Sequence, residues 1–328
     1  MATYLLVDTM NTFFRARHVV RGDAETKIGM AIHITLNAIN KCYRKFNADH
    51  VLFALEGRSW RKDFYTPYKK NRSDKRAAQS PSEQEEDALF FEAYDDFTKF
   101  VSERTNCSVM RCEIAEADDI IARWIHKHPN DEHCVVSSDT DFIQLLAPNV
   151  NQYNGITQEL HTLDGIFDDK GNPVIDKKTK EPKAIPNPEW LLFEKCMRGD
   201  TSDNVFSAYP GVRKKGTKNK VGLVEAFEDR QNKGFNWNNM MLQRWVDHNG
   251  AEHRVLDDYN RNVHLIDLTQ QPTEVKQFVD TNIDETIAEK HNEMVGAKFL
   301  KFCGKYELNK VAENAAKYAE FLQAGYSK

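Results

Sequence analysis

The feature that most constrains the fold is a set of short apolar segments that each end in a carboxylate. Residues 3–8 read TYLLVD, residues 50–56 read HVLFALE, and residues 133–139 read HCVVSSD. Apolar runs of this kind are typical of strands that are buried on both faces of a parallel sheet. Because ligands bind at the carboxyl ends of the strands in such a sheet, we expect these acids to lie at one edge.

Nine acidic residues in five short groups form the predicted site. The groups are the acids that end the first two segments and those of EADD, SSDTD and GDTSD. Their members are Asp8, Glu56, Glu116, Asp118, Asp119, Asp139, Asp141, Asp200 and Asp203. Carboxylates at one edge repel one another unless divalent cations lie between them, and oxygen ligands favour Mg²⁺ or Mn²⁺ over zinc. Two such ions commonly serve phosphodiester hydrolysis, so the pattern indicates a metal-dependent nuclease.

Each acidic group taken alone has a simpler interpretation. Acids at the start of a helix interact favourably with its dipole, which would explain Asp118 and Asp119. SSDTD would be a surface turn, and GDTSD would be a capped turn near the start of a helix. If SSDTD is extended, however, Asp139 and Asp141 point the same way and reach one ion. The five groups together favour the metal site.

Apolar periodicity predicts strands that alternate with helices. The predicted strands are 3–8, 50–56, 106–113 and 133–139, and the predicted helices are 28–46, 89–105 and 116–128. This alternation predicts an α/β fold with a parallel sheet that has helices on both faces. We expect a hairpin or a loose excursion within 150–188 and helices from 189 onward, with an interruption near 270–272. The chain would then consist of a nuclease domain over 1–188 and a helical region over 189–328.

Composition excludes several classes of protein. Hydrophobic residues make up 40% of the 328 positions and charged residues 29%. No apolar run approaches the ~20 residues needed to span a bilayer. The start MATYLLVDTMN lacks the basic segment of a signal peptide. The six cysteines form no CxxC pair and the histidines are not spaced for zinc, so we expect reduced, structural thiols in a cytoplasmic protein.

The net charge of −5 becomes informative once the nine acids are set aside. Without them, 41 acidic residues remain against 45 basic ones, a net charge of +4. The basic residues are bunched in residues 57–76, where Tyr65 and Tyr68 lie between them, and again in residues 213–220. Basic side chains bind phosphates, and aromatic faces stack on unpaired bases. The alternative for each segment is a solvated charged loop.

Five motifs occur in an order that is similar to one known superfamily. They are LLVDTMN, YKKNR, EADDIIA, SSDTDFIQLL and GDTSDN, the last followed by a Gly-Val and Lys-rich turn. Over residues 3–270 the chain resembles the 5′-nuclease superfamily, which comprises flap endonucleases and 5′–3′ exonucleases and includes the replication-type ribonuclease H of tailed phages. The resemblance implies a PIN-like sheet domain that holds two Mg²⁺ ions, a helical gateway over about 57–100, and a helix-turn-helix-like duplex-binding region.

The same resemblance implies roles for basic and aromatic residues. Lys69 and Arg72 would stabilise the negative charge that develops on the scissile phosphate, and Tyr68 would stack on a base. Asn11 would hold the loop after Asp8 in place. The other residues expected to bind nucleic acid are Arg15, Lys70, Arg213, Lys214, Lys215, Lys218 and Lys220.

Two positions differ from the pattern of the superfamily. Glu56 stands where many members have Asp, which lengthens the side chain by one methylene and is expected to shift one metal. The segment GVRKKGTKNK is more Lys-rich and irregular than the compact glycine hairpin at which some members bind K⁺. Binding of K⁺ is therefore left open.

The resemblance implies hydrolysis of phosphodiesters near 5′ ends. Expected substrates are DNA with 5′ flaps or ends and RNA–DNA hybrids. Expected partners are a single-strand-binding protein or other replication proteins, and we expect a monomer that works in the host cytoplasm if a phage encodes it. Mn²⁺ is expected to substitute for Mg²⁺. Two alternatives are a PIN-type ribonuclease that cuts single-stranded RNA and a non-catalytic nucleic-acid-binding scaffold. The last 55 or so residues match no recognisable motif.

Overall fold

The computed structural model describes residues 1–17, 20–185, 187–210, 222–247, 249–287 and 291–327 of the chain. Its contacts form two compact units. The first unit comprises Met1–Ser59, Gln79–Ile185 and Pro272–Lys328, and the second comprises Trp60–Ala78 and Pro186–Gln271. This grouping differs from the expected regions 1–188 and 189–328, because the C-terminal helices join the first unit and a short basic segment joins the second.

A seven-stranded sheet forms the centre of the first unit. Its strands are β1 (Thr3–Asp8), β2 (His50–Leu55), β3 (Ser108–Arg111), β4 (Glu132–Val136), β5 (Val150–Asn154), β6 (Glu159–Thr162) and β7 (Gly165–Phe167). They lie in the order β3-β2-β1-β4-β5-β6-β7. The first five of these strands are parallel, and β6 and β7 continue the sheet in antiparallel pairing. The predicted α/β class is confirmed, although β5 was not predicted as a separate parallel strand.

The helices of the two units, in chain order, have the following bounds. They are α1 (Thr9–Arg17), α2 (Ala24–Lys45), α3 (Arg61–Phe64), α4 (Lys70–Ala77), α5 (Pro81–Arg104), α6 (Ala117–Lys127), α7 (Pro188–Arg198), α8 (Leu223–Asp229), α9 (Phe235–Met241), α10 (Val255–Ile266), α11 (Thr273–Thr286), α12 (Val295–Lys305), α13 (Asn309–Ala312) and α14 (Ala315–Gln323). A 3₁₀ helix spans Thr140–Leu145, and a separate hairpin consists of β8 (Arg244–Val246) and β9 (Glu252–Arg254).

Two helices of the first unit begin earlier than the apolar periodicity predicted. The α2 helix starts after Asp23, whose carboxylate accepts a hydrogen bond from the backbone N–H of Thr26 at 2.8 Å. The α5 helix starts at Pro81, after a capping box in which Ser80 and Glu83 exchange side-chain and backbone hydrogen bonds. Because these caps are local, polar signals such as SPSE mark the helix starts better than hydrophobic residues do.

Strand β1 lies in the middle of the parallel part of the sheet. It pairs with β2 on one side and with β4 on the other, so that Val7 stands beside Phe53 and Val136. Both neighbouring strands are buried almost throughout, which explains their unbroken apolar sequences. This placement brings the carboxyl ends of three strands together at the point where Asp8 lies.

The C-terminal helices complete the hydrophobic core of the first unit. On α12, Phe302 stacks on Phe100 of α5 with ring centroids 4.4 Å apart, and Phe299 lies 6.0 Å from the same ring. Phe321 on α14 is fully buried. Aromatic pairs at these distances contribute ~0.5–1.5 kcal/mol beyond the area that they bury. The last residues of the chain, for which the sequence offered no motif, therefore have a structural role.

The second unit joins the short helices α3 and α4 to a helical bundle. Tyr68 packs with Cys196, Val205 and Leu265 in one of its apolar clusters. Arg61, which belongs to the predicted phosphate-binding stretch, is instead buried and donates from Nε to the carbonyl oxygen of Leu265 at 2.8 Å. Arg61 therefore anchors this segment.

Membrane-spanning segments and disulfides were both expected to be absent. Among the described residues, none of the helices combines the length and the apolar character needed to cross a membrane. All six cysteines are buried, and they are not joined in disulfides.

Candidate metal centre and basic segment

Asp8 ends the central strand and is almost completely buried, with 4% of its surface exposed. Its Oδ2 accepts a hydrogen bond from the hydroxyl of Ser137 at 2.8 Å, and its Oδ1 accepts one from the backbone N–H of Asn11 at 3.3 Å. The first bond connects the end of β1 to the end of β4. Asp8 is thus held in one orientation at the carboxyl edge of the sheet.

Asn11 holds the loop after Asp8 in place, as predicted, by joining it to the segment that follows β4. Its Oδ1 accepts hydrogen bonds from both the backbone N–H and the hydroxyl of Ser138, at 3.1 and 2.8 Å. The segment after β4 is also held by Gln152, whose amide donates to the carbonyl oxygens of Ser137 and Asp139. These bonds fix the loop that carries Asp139 relative to β1.

Glu56 follows β2 directly and reaches the start of α6. Its Oε2 accepts a hydrogen bond from the backbone N–H of Ala117 at 3.4 Å. The next residue, Gly57, donates from its own N–H to the carbonyl oxygen of Ala115 at 3.1 Å. A Cβ at Gly57 would lie 1.8 Å from the carbonyl oxygen of Cys112 and 2.6 Å from that of Ala115, so only glycine fits. The sequence reasoning missed Gly57, which brings Glu56 beside EADD.

The EADD acids take partly different positions from those expected. Glu116 is the residue before α6 instead of a member of its first turn, and it forms a reciprocal capping box with Asp119. The Oδ2 of Asp119 accepts a hydrogen bond from the Glu116 N–H at 3.2 Å. Both side chains are buried, whereas Asp118 is partly exposed. The capping interpretation that was offered for Asp118 and Asp119 therefore holds for Asp119, with Glu116 as its partner.

The SSDTD acids are not on an extended segment, contrary to prediction. Strand β4 ends at Val136, and Asp139 is the N-cap of the 3₁₀ helix that contains Asp141. The Asp139 carboxylate accepts a hydrogen bond from the Asp141 backbone N–H at 3.0 Å. The two acids are neighbours at the start of a helix. Their proximity therefore does not come from the alternation of side chains along a strand.

Electrostatics in the first unit link three of the strand-end acids. Burial, followed by the charge of Glu56, raises the pKa of Asp8 to about 7, and the charge of Asp139 adds to this rise. The hydrogen bonds from Ser137 and Asn11 oppose it. A buried carboxylate that faces two other carboxylates is electrostatically unfavourable, and a bound cation would relieve that cost.

Tyr94 on α5 lies beside the same acids. Its ring is buried, and its hydroxyl has no hydrogen-bond partner among the described residues. Burial and the charges of Glu56 and Asp8 raise its pKa. A buried hydroxyl without a partner is costly, so this atom fits a neighbour that hydrated metal would supply.

The donor set fits a hard divalent cation, although the side chains are not arranged as a finished site. Within the described ranges, no three or more His, Cys, Asp or Glu side chains converge closely enough to hold an ion. Several carboxylates instead accept hydrogen bonds from backbone N–H groups, as Glu56, Asp119 and Asp139 do. All of the candidate ligands are oxygen atoms, which suits Mg²⁺ or Mn²⁺.

The GDTSD acids lie in the second unit and follow the end of a helix, where a helix start was expected. Gly199 ends α7 with φ of 75°, and a Cβ there would lie 2.2 Å from the carbonyl oxygen of Val205. Asp200 accepts hydrogen bonds from the Ser202 backbone N–H and hydroxyl and pairs with Lys195 at 3.2 Å. Burial alone would raise the pKa of Asp200, but these partners outweigh burial and lower it.

Asp203 is the centre of an ion-paired cluster with the YKKNR segment. Its carboxylate accepts hydrogen bonds from the Tyr68 hydroxyl at 2.9 Å and from Arg72 Nη2 at 2.5 Å, and Lys69 Nζ lies 3.7 Å away. The Lys69 backbone N–H also donates to the Asp203 carbonyl oxygen at 2.8 Å. Asn71 binds the carbonyl oxygen of Thr201. These contacts fix YKKNR to GDTSD within the second unit.

The cluster affects the expected roles of the basic and aromatic residues. Tyr68 is 4% exposed, so a stacking role would require its ring to be uncovered. The Arg72 side chain is 56% exposed although it pairs with Asp203, and Lys70 and Arg15 are exposed. The predicted duplex-binding residues Arg213, Lys214, Lys215, Lys218 and Lys220 lie outside the described residues.

The fold and the row of strand-end acids now allow comparison with known proteins. The family of 5′–3′ exonuclease N-terminal, resolvase-like domains matches residues 3–172. Since this match covers more than half of the sequence, the chain belongs to that family. The resemblance inferred from the order of the acidic motifs is confirmed.

Two curated relatives extend the comparison. The chain is 25% identical to DNA polymerase I of Rhizobium leguminosarum over 329 aligned residues, which covers 95% of the chain but only 28% of that polymerase. It is 27% identical to the flap endonuclease Xni of Shewanella loihica over 236 residues, which covers 71% of the chain and 79% of the relative. The chain therefore spans little more than a quarter of the length of the first relative.

A solved structure shares the fold. The flap endonuclease of bacteriophage T5, in a pseudo-enzyme–product complex with DNA and metal ions, aligns with a TM-score of 0.55 and 19% identity. The alignment covers 97% of this chain and 99% of the phage protein. At this level of identity the comparison establishes the α/β fold alone.

Proposed function

We propose that this chain is a divalent-metal-dependent 5′ nuclease that hydrolyses phosphodiesters near 5′ ends and at junctions between single- and double-stranded DNA. Its activities would be those of a 5′–3′ exonuclease and a flap endonuclease, together with removal of RNA primers from RNA–DNA hybrids during replication. The observation that carries the proposal is the buried Asp8 at the end of the central strand, electrostatically coupled to Glu56 and Asp139.

Magnesium is the proposed physiological metal, with two ions bound and Mn²⁺ as a substitute. The proposed ligands from the first unit are Asp8, Glu56, Glu116, Asp118, Asp119, Asp139 and Asp141. Asp200 and Asp203 are proposed as ligands on the resemblance of GDTSDN alone. A bound metal would lower the pKa of a water molecule and would stabilise negative charge on the phosphate oxygens.

Other residues of the chain would orient the metal ligands and neutralise negative charge on the scissile phosphate. Ser137 holds the Asp8 carboxylate, and Asn11 holds the loop that carries Asp139, so both acids are positioned before substrate arrives. Lys69 and Arg72 would stabilise the negative charge that develops on the scissile phosphate. Both side chains pair with Asp203, and this pairing supports the role because it restricts the conformational freedom of the two cationic groups.

Nucleic acid would be held by basic residues outside the acidic site. Arg15 and Lys70 are exposed and suit phosphate binding, and the lysine-rich segment 213–220 would grip the duplex. The proposed working form is a monomer that acts with a single-strand-binding protein or other replication proteins. The flap endonuclease identity of one relative and the DNA complex of the phage structure support these substrates.

One assay tests the proposal directly. Purified protein with Mg²⁺ is incubated with end-labelled flap, nicked, blunt and RNA–DNA hybrid substrates, and the product lengths are resolved. We expect cleavage that starts from the 5′ end or at the junction and that stops in EDTA. Cleavage confined to single-stranded RNA would instead support a ribonuclease, and binding without cleavage would support a scaffold.

A further inference from the structure

A cavity of about 230 Å³ lies beside the acidic site of the first unit. It is bounded by α1, α2, the end of β4 and the turn between β5 and β6. Ser137 belongs to its wall and also donates the hydrogen bond to Asp8 at 2.8 Å. Ser137 therefore links the cavity to Asp8, at the point between β1 and β4 where the strand order of the sheet reverses. Crevices at such points are the usual ligand sites of open α/β sheets.

The walls of this cavity are apolar, and its rim is polar. Ile34 and Ala38 on α2, together with Val136 and Ile156, line it. Ile156 is 48% exposed although it is a large aliphatic residue. An aliphatic slot of this kind suits a flat, partly apolar ring.

The polar residues at the rim are of types that bind phosphate groups and the amide groups of a base. Arg15 supplies a guanidinium at the rim, and Ser138 and Gln158 supply a hydroxyl and an amide. Gln158 has φ of 57°, a left-handed conformation that is uncommon for a residue other than glycine or asparagine. Backbone strain of this kind is often retained where a side chain must be presented to a ligand.

The size of the cavity limits its ligand to a single nucleotide unit. Its volume is below the ~300–1,000 Å³ of pockets that enclose drug-sized ligands, so it can enclose the base and sugar of one nucleotide while the phosphate lies at the rim. Gly155 adds to this limit, since a Cβ at Gly155 would lie 3.3 Å from the Cβ of Ala38. The slot is therefore already narrow.

We propose that this cavity binds one nucleoside 5′-monophosphate unit, with the base between Ile34 and Ile156 and the phosphate at Arg15. The unit would be the unpaired terminal nucleotide of the substrate strand, which rests on the proposed 5′-nuclease function. A free mononucleotide has the same chemistry, so the test must separate the two sources.

The first measurement uses calorimetric titration of dTMP and thymidine in EDTA. We expect dTMP to bind the parent protein more tightly than thymidine, and Arg15→Ala to remove that difference. Ile156→Glu should weaken dTMP binding by about tenfold or more, because it places a carboxylate in the slot. Ile175→Glu is the matched control, since Ile175 is 49% exposed elsewhere in the first unit, and it should stay within twofold. Absence of dTMP binding to the parent, or equal effects of the two glutamates, overturns the proposal.

The second measurement identifies the source of the nucleotide. Fluorescence anisotropy in EDTA compares a 5′-flap substrate that has a normal terminal nucleotide with one whose terminal nucleotide is abasic. We expect the abasic end to weaken binding at least about threefold in the parent and in Ile175→Glu, but not in Ile156→Glu. An equal abasic effect in all three proteins overturns assignment to the strand end. Because both measurements exclude metal, loss of dTMP binding and loss of Mg²⁺-dependent cleavage report separately on the cavity and on the nuclease function.

Discussion

The hydroxyl of Ser137 donates a hydrogen bond of 2.8 Å to Oδ2 of Asp8, joining the ends of two neighbouring parallel strands. The carboxylate is buried, and the charges of Glu56 and Asp139 raise its pKa. Such an arrangement stores unfavourable electrostatic energy in the metal-free protein. This is the pattern expected where function, and not stability, has selected the residues.

The first prediction concerns the stability cost of Asp8. An acid whose pKa is raised on folding destabilises the folded state as the pH rises from its unfolded to its folded pKa. For Asp8 that penalty is absent below pH ~4 and complete above about 7, the raised pKa. Asp8→Asn should therefore raise the Tm of the metal-free protein by ~2 °C or more at pH 8 and have little effect at pH 4.

Thermal unfolding in EDTA at several pH values checks this expectation, with Asp164→Asn as the matched control because Asp164 is exposed. If Asp8→Asn lowers the Tm at pH 8, the carboxylate stabilises the fold and the proposed electrostatic cost is wrong.

The second prediction concerns Gly57, which the backbone at 112–115 approaches too closely for any side chain. Gly57→Ala should displace Glu56 from the start of α6, lower the Tm and reduce Mg²⁺-dependent cleavage by at least ~10-fold, which corresponds to ~1.4 kcal/mol. Gly304→Ala is the control, since a Cβ there has nothing within 4 Å and lies in a helix, where alanine is favoured. If both variants behave alike, the close approach at Gly57 has no functional consequence.

Much of this architecture could be predicted from the sequence because its signals are local. Asp8 and Glu56 follow unbroken apolar strands, and a strand that is buried on both faces places the residue after it at the sheet edge. The same logic failed at Asp141, because the strand ends at Val136 and a 3₁₀ helix begins before that acid. Strand ends are set by tertiary pairing, which sequence periodicity does not report.

Other features depend on contacts between distant parts of the chain. The capping box of Glu116 and Asp119 is local and could have been read from EADD, whereas the clash that requires Gly57 comes from a loop more than fifty residues away. Similarly, the charged residues around Tyr68 suggested an exposed ring, but the ring packs in an apolar cluster and its hydroxyl donates to Asp203. A polar neighbourhood in sequence does not reveal a partner that lies 135 residues away.

The third prediction separates chemistry from binding in the YKKNR segment. Lys69→Ala should lower the single-turnover cleavage rate at saturating enzyme by ~10²-fold or more while changing substrate affinity little, since an interaction made mainly in the transition state lowers kcat. Lys62→Ala is the control, because Lys62 is exposed in the same segment. If Lys69→Ala changes only KM, Lys69 belongs with the residues that hold the substrate.

The fourth prediction concerns the lysine-rich segment 213–220. Replacing Lys214, Lys215 and Lys218 by Ala should weaken duplex affinity and flatten its salt dependence by ~0.9 log units of slope for each lost phosphate contact. Cleavage under saturating, single-turnover conditions should survive. The matched control replaces Lys177, Lys178 and Lys180, which are exposed in a turn of the first unit. An unchanged salt slope in the first triple variant would identify its segment as a solvated loop.

The most direct test of the metal-dependent mechanism is the single-turnover cleavage rate of Asp139→Asn on a 5′-flap substrate across a Mg²⁺ titration. Asp139 lies at the N-cap of the 3₁₀ helix and raises the pKa of Asp8, so it is placed to share a cation with that residue. We expect cleavage to be abolished at every Mg²⁺ concentration while flap binding stays close to that of the parent, and we expect Asp164→Asn to cut normally. A rate for Asp139→Asn within ~10-fold of the parent would rule out Asp139 as a metal ligand, because loss of such a ligand should cost several kcal/mol of transition-state stabilisation.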